Sequence, residues 1–223
     1  MQPEQLHSHF NDLLREVLLI VGALFPIVNP LGNAPIFLTL TRDLSAATRT
    51  LLARKVALNG FVLLLVSIFI GTHILAFFGI SLAVVQVGGG LVVISTGWKL
   101  LQSSGEEDPS RKKMSVTEAA KRAFYPLTLP LTVGPGSISV AITVGANRDQ
   151  GMAMTPIAIL GAVLGATAIA VSIYLSYRFA GQIARVLGET AMNVILRLSS
   201  FILVCIGVQI LWNGVSTMLK TLR

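Results

Sequence analysis

FPIVNPLGNAPIF, residues Phe25 to Phe37, is met again as YPLTLPLTVGPGS, residues Tyr125 to Ser137. At a spacing of 100 residues Pro26 falls on Pro126, Pro30 on Pro130, Pro35 on Pro135 and Leu31 on Leu131, and an aromatic opens each copy. Both copies lie inside apolar segments long enough to cross a bilayer. A proline removes a backbone donor and crowds the preceding turn, so three in ten residues do not fit one unbroken helix. Each segment is therefore expected to break, twice in the same way. Paired interruptions in corresponding segments of two halves point to the binding site of a transporter.

The surrounding sequence is that of a membrane protein. Of the 223 residues 53% are apolar and 12% charged, and the mean hydropathy is +0.77, outside the soluble norm. The net charge of +7 sits in short loops between apolar runs, where it sets topology. No folded basic face is left to bind nucleic acid. The single cysteine, Cys205, excludes an intrachain disulfide and reads as inert packing. No basic stretch precedes the first apolar run and no small-residue cleavage site follows it, so no removable signal peptide is expected.

Outward from the two motifs, six spans are expected: broken segments at 17–41 and 123–147, and plain ones at 56–78, 82–101, 155–177 and 195–218, each near the roughly 20 residues a crossing needs. Residues 1–16 form a short amphipathic lead-in, and residues from Arg42 to Lys55 a basic loop. The hydrophilic stretch 102–122 reads as a cytoplasmic linker between two three-helix repeats, 1–101 and 123–223. Six crossings put thirteen lysines and arginines on one side and four on the other. The positive-inside rule then places the first loop and the linker in the cytoplasm. Three crossings per half make this an inverted-topology repeat. Re-entrant hairpins at the motifs give parallel halves and a charge count of fourteen against three, which satisfies the rule equally.

A break in a membrane helix frees carbonyls before it and amides after it, and these must be covered by protein or line a polar cavity. Asn33 and Gly134 stand at N-cap positions, ahead of helices starting near Pro35 and Pro135. Two positive helix ends thus face the gap, a setting for a carboxylate. Carbonyls, Asn29 and Thr128 supply acceptors for an ammonium group or Na⁺, so a zwitterion fits. The binding candidates are Asn29, Pro30, Gly32, Asn33, Thr128, Pro130, Gly134, Gly136 and Ser137. Asn59, Thr39, Ser139, Gln86, Ser95, Thr96 and Gln209 either line the same cavity or bond between helices, the commoner fate. Gly161 and Gly165 read as close helix packing.

The spans contain no Asp or Glu, which disfavours carboxylate-based proton coupling. No metal cluster and no nucleophile with a base at motif spacing is present, so no enzyme, cofactor or metal is expected. A coupling ion, Na⁺ or H⁺, and assembly as a homo-oligomer are left open.

At Asn29-Pro30-Leu31-Gly32-Asn33-Ala34-Pro35-Ile36-Phe37, and at Leu129-Pro130 with Gly134-Pro135-Gly136-Ser137-Ile138-Ser139, the chain resembles the MarC family of bacterial and archaeal inner-membrane proteins. Phe78-Gly79-Ile80-Ser81 before Gly89-Gly90, and Asn193-Val194-Ile195 before Arg197, extend the likeness over nearly the whole chain. Gln86 and Ser200 depart from it, where arginine and glycine are usual. The resemblance implies a multi-pass inner-membrane fold. Some archaeal members look like transporters of small neutral amino acids such as glycine and alanine, which agrees with the zwitterion reading. The expected function is a secondary transporter of such solutes by alternating access. The rivals are an exporter of other small polar or drug-like solutes and a non-transporting membrane protein.

Overall fold

The computed structural model describes residues 3–41, 44–102, 123–149 and 155–220. The linker expected at 102–122 lies outside the described residues except for Gln102, as do Arg42 and the last three residues. The described residues form eight helices and no strand: α1 Pro3–Val28, α2 Pro30–Leu40, α3 Ala46–Phe77, α4 Leu82–Gln102, α5 Ala123–Thr132, α6 Pro135–Asp149, α7 Pro156–Arg178 and α8 Ala180–Lys220. Five stretches are long and apolar enough to cross a membrane, and α5 with α6, bent by 68°, makes a sixth if counted as one span.

The helices begin where their capping chemistry lies. Ser45 accepts from the Thr48 amide at 3.2 Å, so α3 starts ten residues before the expected span and takes Arg49, Arg54 and Lys55 into its first turns. The basic loop of the sequence reading is therefore largely helical. Thr155 caps α7 in the same way, accepting from Ala158 at 3.2 Å, with Pro156 in the first turn. The turn between α3 and α4 uses Gly79 at φ +66°, a conformation glycine adopts without Cβ strain. Gly188, at φ +74°, bends α8 and sets Ala180–Leu187 apart from its membrane-long part. Of the lead-in expected at 1–16, the described residues from Pro3 onward already belong to α1.

Small residues bring helices together at backbone distance. α4 and α8 pack as an antiparallel pair, with Gly90 against Gly207 and Leu211, and Gly214 against Ala83 and Val87. A Cβ on Gly90 would lie 2.7 Å from the Leu211 nitrogen and 2.8 Å from the Gly207 oxygen, whereas one on Gly88 would meet nothing within 4 Å. Gly90→Ala is accordingly expected to destabilise the protein by about 1–3 kcal/mol through overpacking. Gly88→Ala should be near neutral; melting both variants in detergent beside the parent checks this. Gly161 and Gly165 admit Glu16 and Ile20 of α1, so this pair serves helix packing. The core is formed by α1, α2, α3 and α7 around the motif helices, with Leu24, Phe37, Leu64, Val133, Ile173 and Tyr177 fully buried.

Contacts between helix ends sort the molecule into two faces. Gly214 meets Ala83, Gln86 bonds Thr143, and Ile142 abuts Gly71; the end of α3, the starts of α4 and α7 and the ends of α6 and α8 share one face. On the other, Arg49 of α3 approaches Gly181 at the start of α8, and Phe37 of α2 stacks on Tyr177 near the end of α7.

Candidate functional site

The two proline motifs meet, but they do not bend alike. In the first copy one residue leaves the helix. Asn29 takes the left-handed conformation (φ 45°, ψ 59°), and α2 starts at Pro30. Asparagine tolerates this conformation and can hydrogen-bond locally, and here its Oδ1 accepts from the Gly32 amide at 3.1 Å. The N-cap is thus Asn29, not Asn33, and Pro35 lies inside α2 rather than at its start. Gly32 is required by this cap, because a Cβ there would fall on the Asn29 side chain.

In the second copy two residues leave the helix. Tyr125 (φ −123°, ψ 123°) and Leu129 (φ −112°, ψ 122°) are extended, and each precedes a proline, which disfavours the α region for its predecessor. The hydroxyls of Thr128 and Thr132 donate back to the Ala123 and Leu127 carbonyls at 2.7 and 2.6 Å. Those carbonyls are thereby covered rather than left to lipid. Gly134 directly precedes α6, and its carbonyl accepts the Ile138 amide at 3.1 Å.

Asn33, one turn into α2, joins the copies. Its Nδ2 donates to the Val28 carbonyl at 2.9 Å and, across the motifs, to the Leu131 carbonyl at 3.1 Å. Beside it lies a cavity of about 80 Å³, lined from four sides by Ile27 and Asn33, by Val93 and Thr96 of α4, by residues 130–132 and 134–137 of the second motif, and by Leu203 of α8. That volume holds several waters or a solute of a few heavy atoms.

Five of the sequence candidates, Asn33, Pro130, Gly134, Gly136 and Ser137, line this cavity. Asn29, Pro30, Gly32 and Thr128 are absent from its lining. Asn29 is engaged in its cap, and Thr128 is fully buried, donating to Ala123 and accepting from Asn59 Nδ2 at 3.4 Å. The acceptors expected from Asn29 and Thr128 are therefore committed to the fold. The positive helix end that reaches the cavity is that of α6, whose Gly136 and Ser137 amides precede the first intrahelical bond and find no partner within the helix. At α2 the Gly32 amide is already satisfied by Asn29.

What the cavity offers a solute is therefore specific. Asn33 is 6% exposed and Ser137 3%. Among the described residues no hydrogen bond reaches Asn33 Oδ1 or Ser137 Oγ. Both residues line the cavity and neither atom is closed off from it, so both acceptors are open to a solute there. Thr132 also lines it, but its hydroxyl is shared with Tyr177 at 2.8 Å. Tyr177 is fully buried and stacks on Phe37 with ring centroids 4.3 Å apart. Sequence reasoning missed Thr132, Val93 and Tyr177. Thr132 stands within the second motif, so its place there was the available signal; a tyrosine at a helix end reads instead as an interfacial residue. Of the other polar candidates, Gln86 bonds Thr143 at 3.2 Å and Ser139 bonds the Val85 carbonyl at 3.2 Å, tying α4 to α6. Thr96 alone among them reaches the cavity, with its hydroxyl turned back on the Val92 carbonyl.

Residues 14–219 match the family described as MarC family integral membrane protein. The inner membrane protein MarC of Citrobacter koseri is 33% identical over 217 residues, covering 94% of this chain and 98% of that one. Its counterpart in Salmonella typhimurium is 32% identical over 224 residues at the same coverage, and that of Escherichia coli O1:K1 31% over 217. No solved structure matches the chain. With its five to six membrane-long helices, the protein is a multi-pass protein of the inner membrane.

Proposed function

The chain belongs to the MarC family of integral membrane proteins, and we propose that it is a secondary transporter of small neutral amino acids, glycine- and alanine-like zwitterions, working by alternating access. One observation carries the reading. The cavity at the meeting of the two proline motifs presents the open N-terminus of α6 beside two polar atoms that no hydrogen bond among the described residues reaches, Asn33 Oδ1 and Ser137 Oγ. A helix N-terminus favours a carboxylate without a cationic side chain. The amide and hydroxyl oxygens accept from an ammonium group. A neutral site thus meets both charges of a zwitterion, and its size suits the smallest ones.

In this reading residues 1–101 and 123–223 are two three-span repeats of inverted topology, and α5 with α6 makes the fourth crossing. The arrangement of helix ends supports it. α6 runs from the cavity to the face where α7 begins, and Arg49, Arg54, Lys55, Lys99, Arg178, Arg185 and Arg197 lie toward the opposite face, the cytoplasmic one by the positive-inside rule. Substrate at the motif contact between the halves would be reached alternately from each side.

The test is competition for uptake of labelled alanine into proteoliposomes. Glycine and alanine should compete, and alanine amide and simple amines should compete at least about tenfold more weakly, because a charge-assisted hydrogen bond contributes about 1.5–3 kcal/mol. Equal competition by alanine and alanine amide would remove the helix-end site. Uptake of other polar solutes without amino acids would favour the exporter, and no uptake of any solute the non-transporting alternative.

A further inference from the structure

We propose that the corner between α7 and α8 is a binding site for the phosphate of an anionic phospholipid headgroup. Three arginines stand around this corner, Arg178 and Arg185 on either side of the turn and Arg49 reaching Gly181 from α3. Arg178, at the end of α7, is held in place by the Tyr174 hydroxyl, to which it donates at 2.8 Å, and lies 5.6 and 5.4 Å from the Tyr174 and Phe179 ring centroids. Arg185 donates from Nε to the Gly181 carbonyl at 3.2 Å. Arg49 reaches the same turn from α3, with Nη1 3.5 Å from where a Cβ on Gly181 would stand.

None of the three makes an ion pair with a carboxylate among the described residues. Arg49 spends Nη2 on the Thr41 and Leu44 carbonyls, at 3.2 and 3.4 Å, and its Nε is buried with no hydrogen-bond partner. Like charges gathered at one corner with no carboxylate paired to them among the described residues repel one another. A phosphate relieves that repulsion, since guanidinium forks match its oxygens. The surroundings select a lipid as its source. Phe179 is 37% exposed and Val186 85%, so apolar side chains stand beside the cations, as in a segment lying at the headgroup level of a bilayer. Gly188, at φ +74°, breaks the helix just past this segment, ahead of the membrane-long stretch that begins at Asn193.

The experiment is native mass spectrometry of the full-length protein released from mixed micelles of phosphatidylglycerol and phosphatidylcholine. The parent should retain phosphatidylglycerol in at least about fivefold preference. Arg178→Gln with Arg185→Gln should bring the two lipids close to parity, each arginine near a membrane surface contributing roughly a fivefold factor. Arg178→Lys with Arg185→Lys should restore part of the preference, and Arg15→Gln, on the opposite face, should leave it unchanged. Equal retention of both lipids by the parent, or undiminished preference in the glutamine variant, would overturn the site. So would displacement of the lipid by millimolar inorganic phosphate, which would make it a site for the free anion.

Discussion

Asn33→Ala is expected to lower stability by about 2–6 kcal/mol and to weaken alanine binding as well. The stability loss follows from its two bonds. Nδ2 donates to Val28 in its own motif and to Leu131 in the other, and truncation leaves two carbonyls with a lost donor at about 1–3 kcal/mol each. The binding loss follows from Oδ1, which faces the cavity. Asn33→Asp separates the two roles. It keeps an oxygen at the cavity but removes the donors and puts a carboxylate against two carbonyls, so it should be at least as destabilising. Thermal unfolding of both variants in detergent, with and without alanine, reads each effect. An alanine variant as stable as the parent would show that the motifs are held together by other contacts.

How much of this was legible depends on the range of the interaction. The prolines were visible in the sequence, as was the consequence that the backbone leaves the helix near them. Which residue would leave it was not. Asn29 and Asn33 both stand in the first motif, and a proline follows each within two residues. The choice fell to Asn29 because the Gly32 amide lies in reach of its side chain and Gly32 has no Cβ to obstruct it. That local chemistry could have been weighed. The destination of Asn33 could not, because Leu131 is 98 residues away and only tertiary packing brings it near. Tyr177 is the same case: its burial depends on Phe37 and Thr132, on two other helices. The identical spacing of the prolines also suggested equal breaks. Residues preceding the prolines decide otherwise, extended at Tyr125 and Leu129 and left-handed at Asn29.

Gly136→Ala is expected to reduce uptake at least about tenfold while leaving the protein folded and inserted. Gly136 lies in the first turn of α6, where alanine is the better helix former, so the helix itself loses nothing. The obstacle is across the cavity, where a Cβ on Gly136 would fall on Val93 Cγ2. Relieving that overlap has to push α4 and α6 apart or fill the cavity, an overpacking of about 1–3 kcal/mol borne by the cavity wall. Val93→Ala removes the atom in the way, so Gly136→Ala with Val93→Ala should recover most of the uptake. Val93→Ala alone should enlarge the cavity and admit side chains larger than alanine's. The two substitutions are in contact, so their effects are expected to be non-additive, and a double-mutant cycle measures the coupling directly. Full uptake by Gly136→Ala would place the solute path elsewhere. A loss that Val93→Ala does not relieve would trace the effect to α6 rather than to the space between α6 and α4.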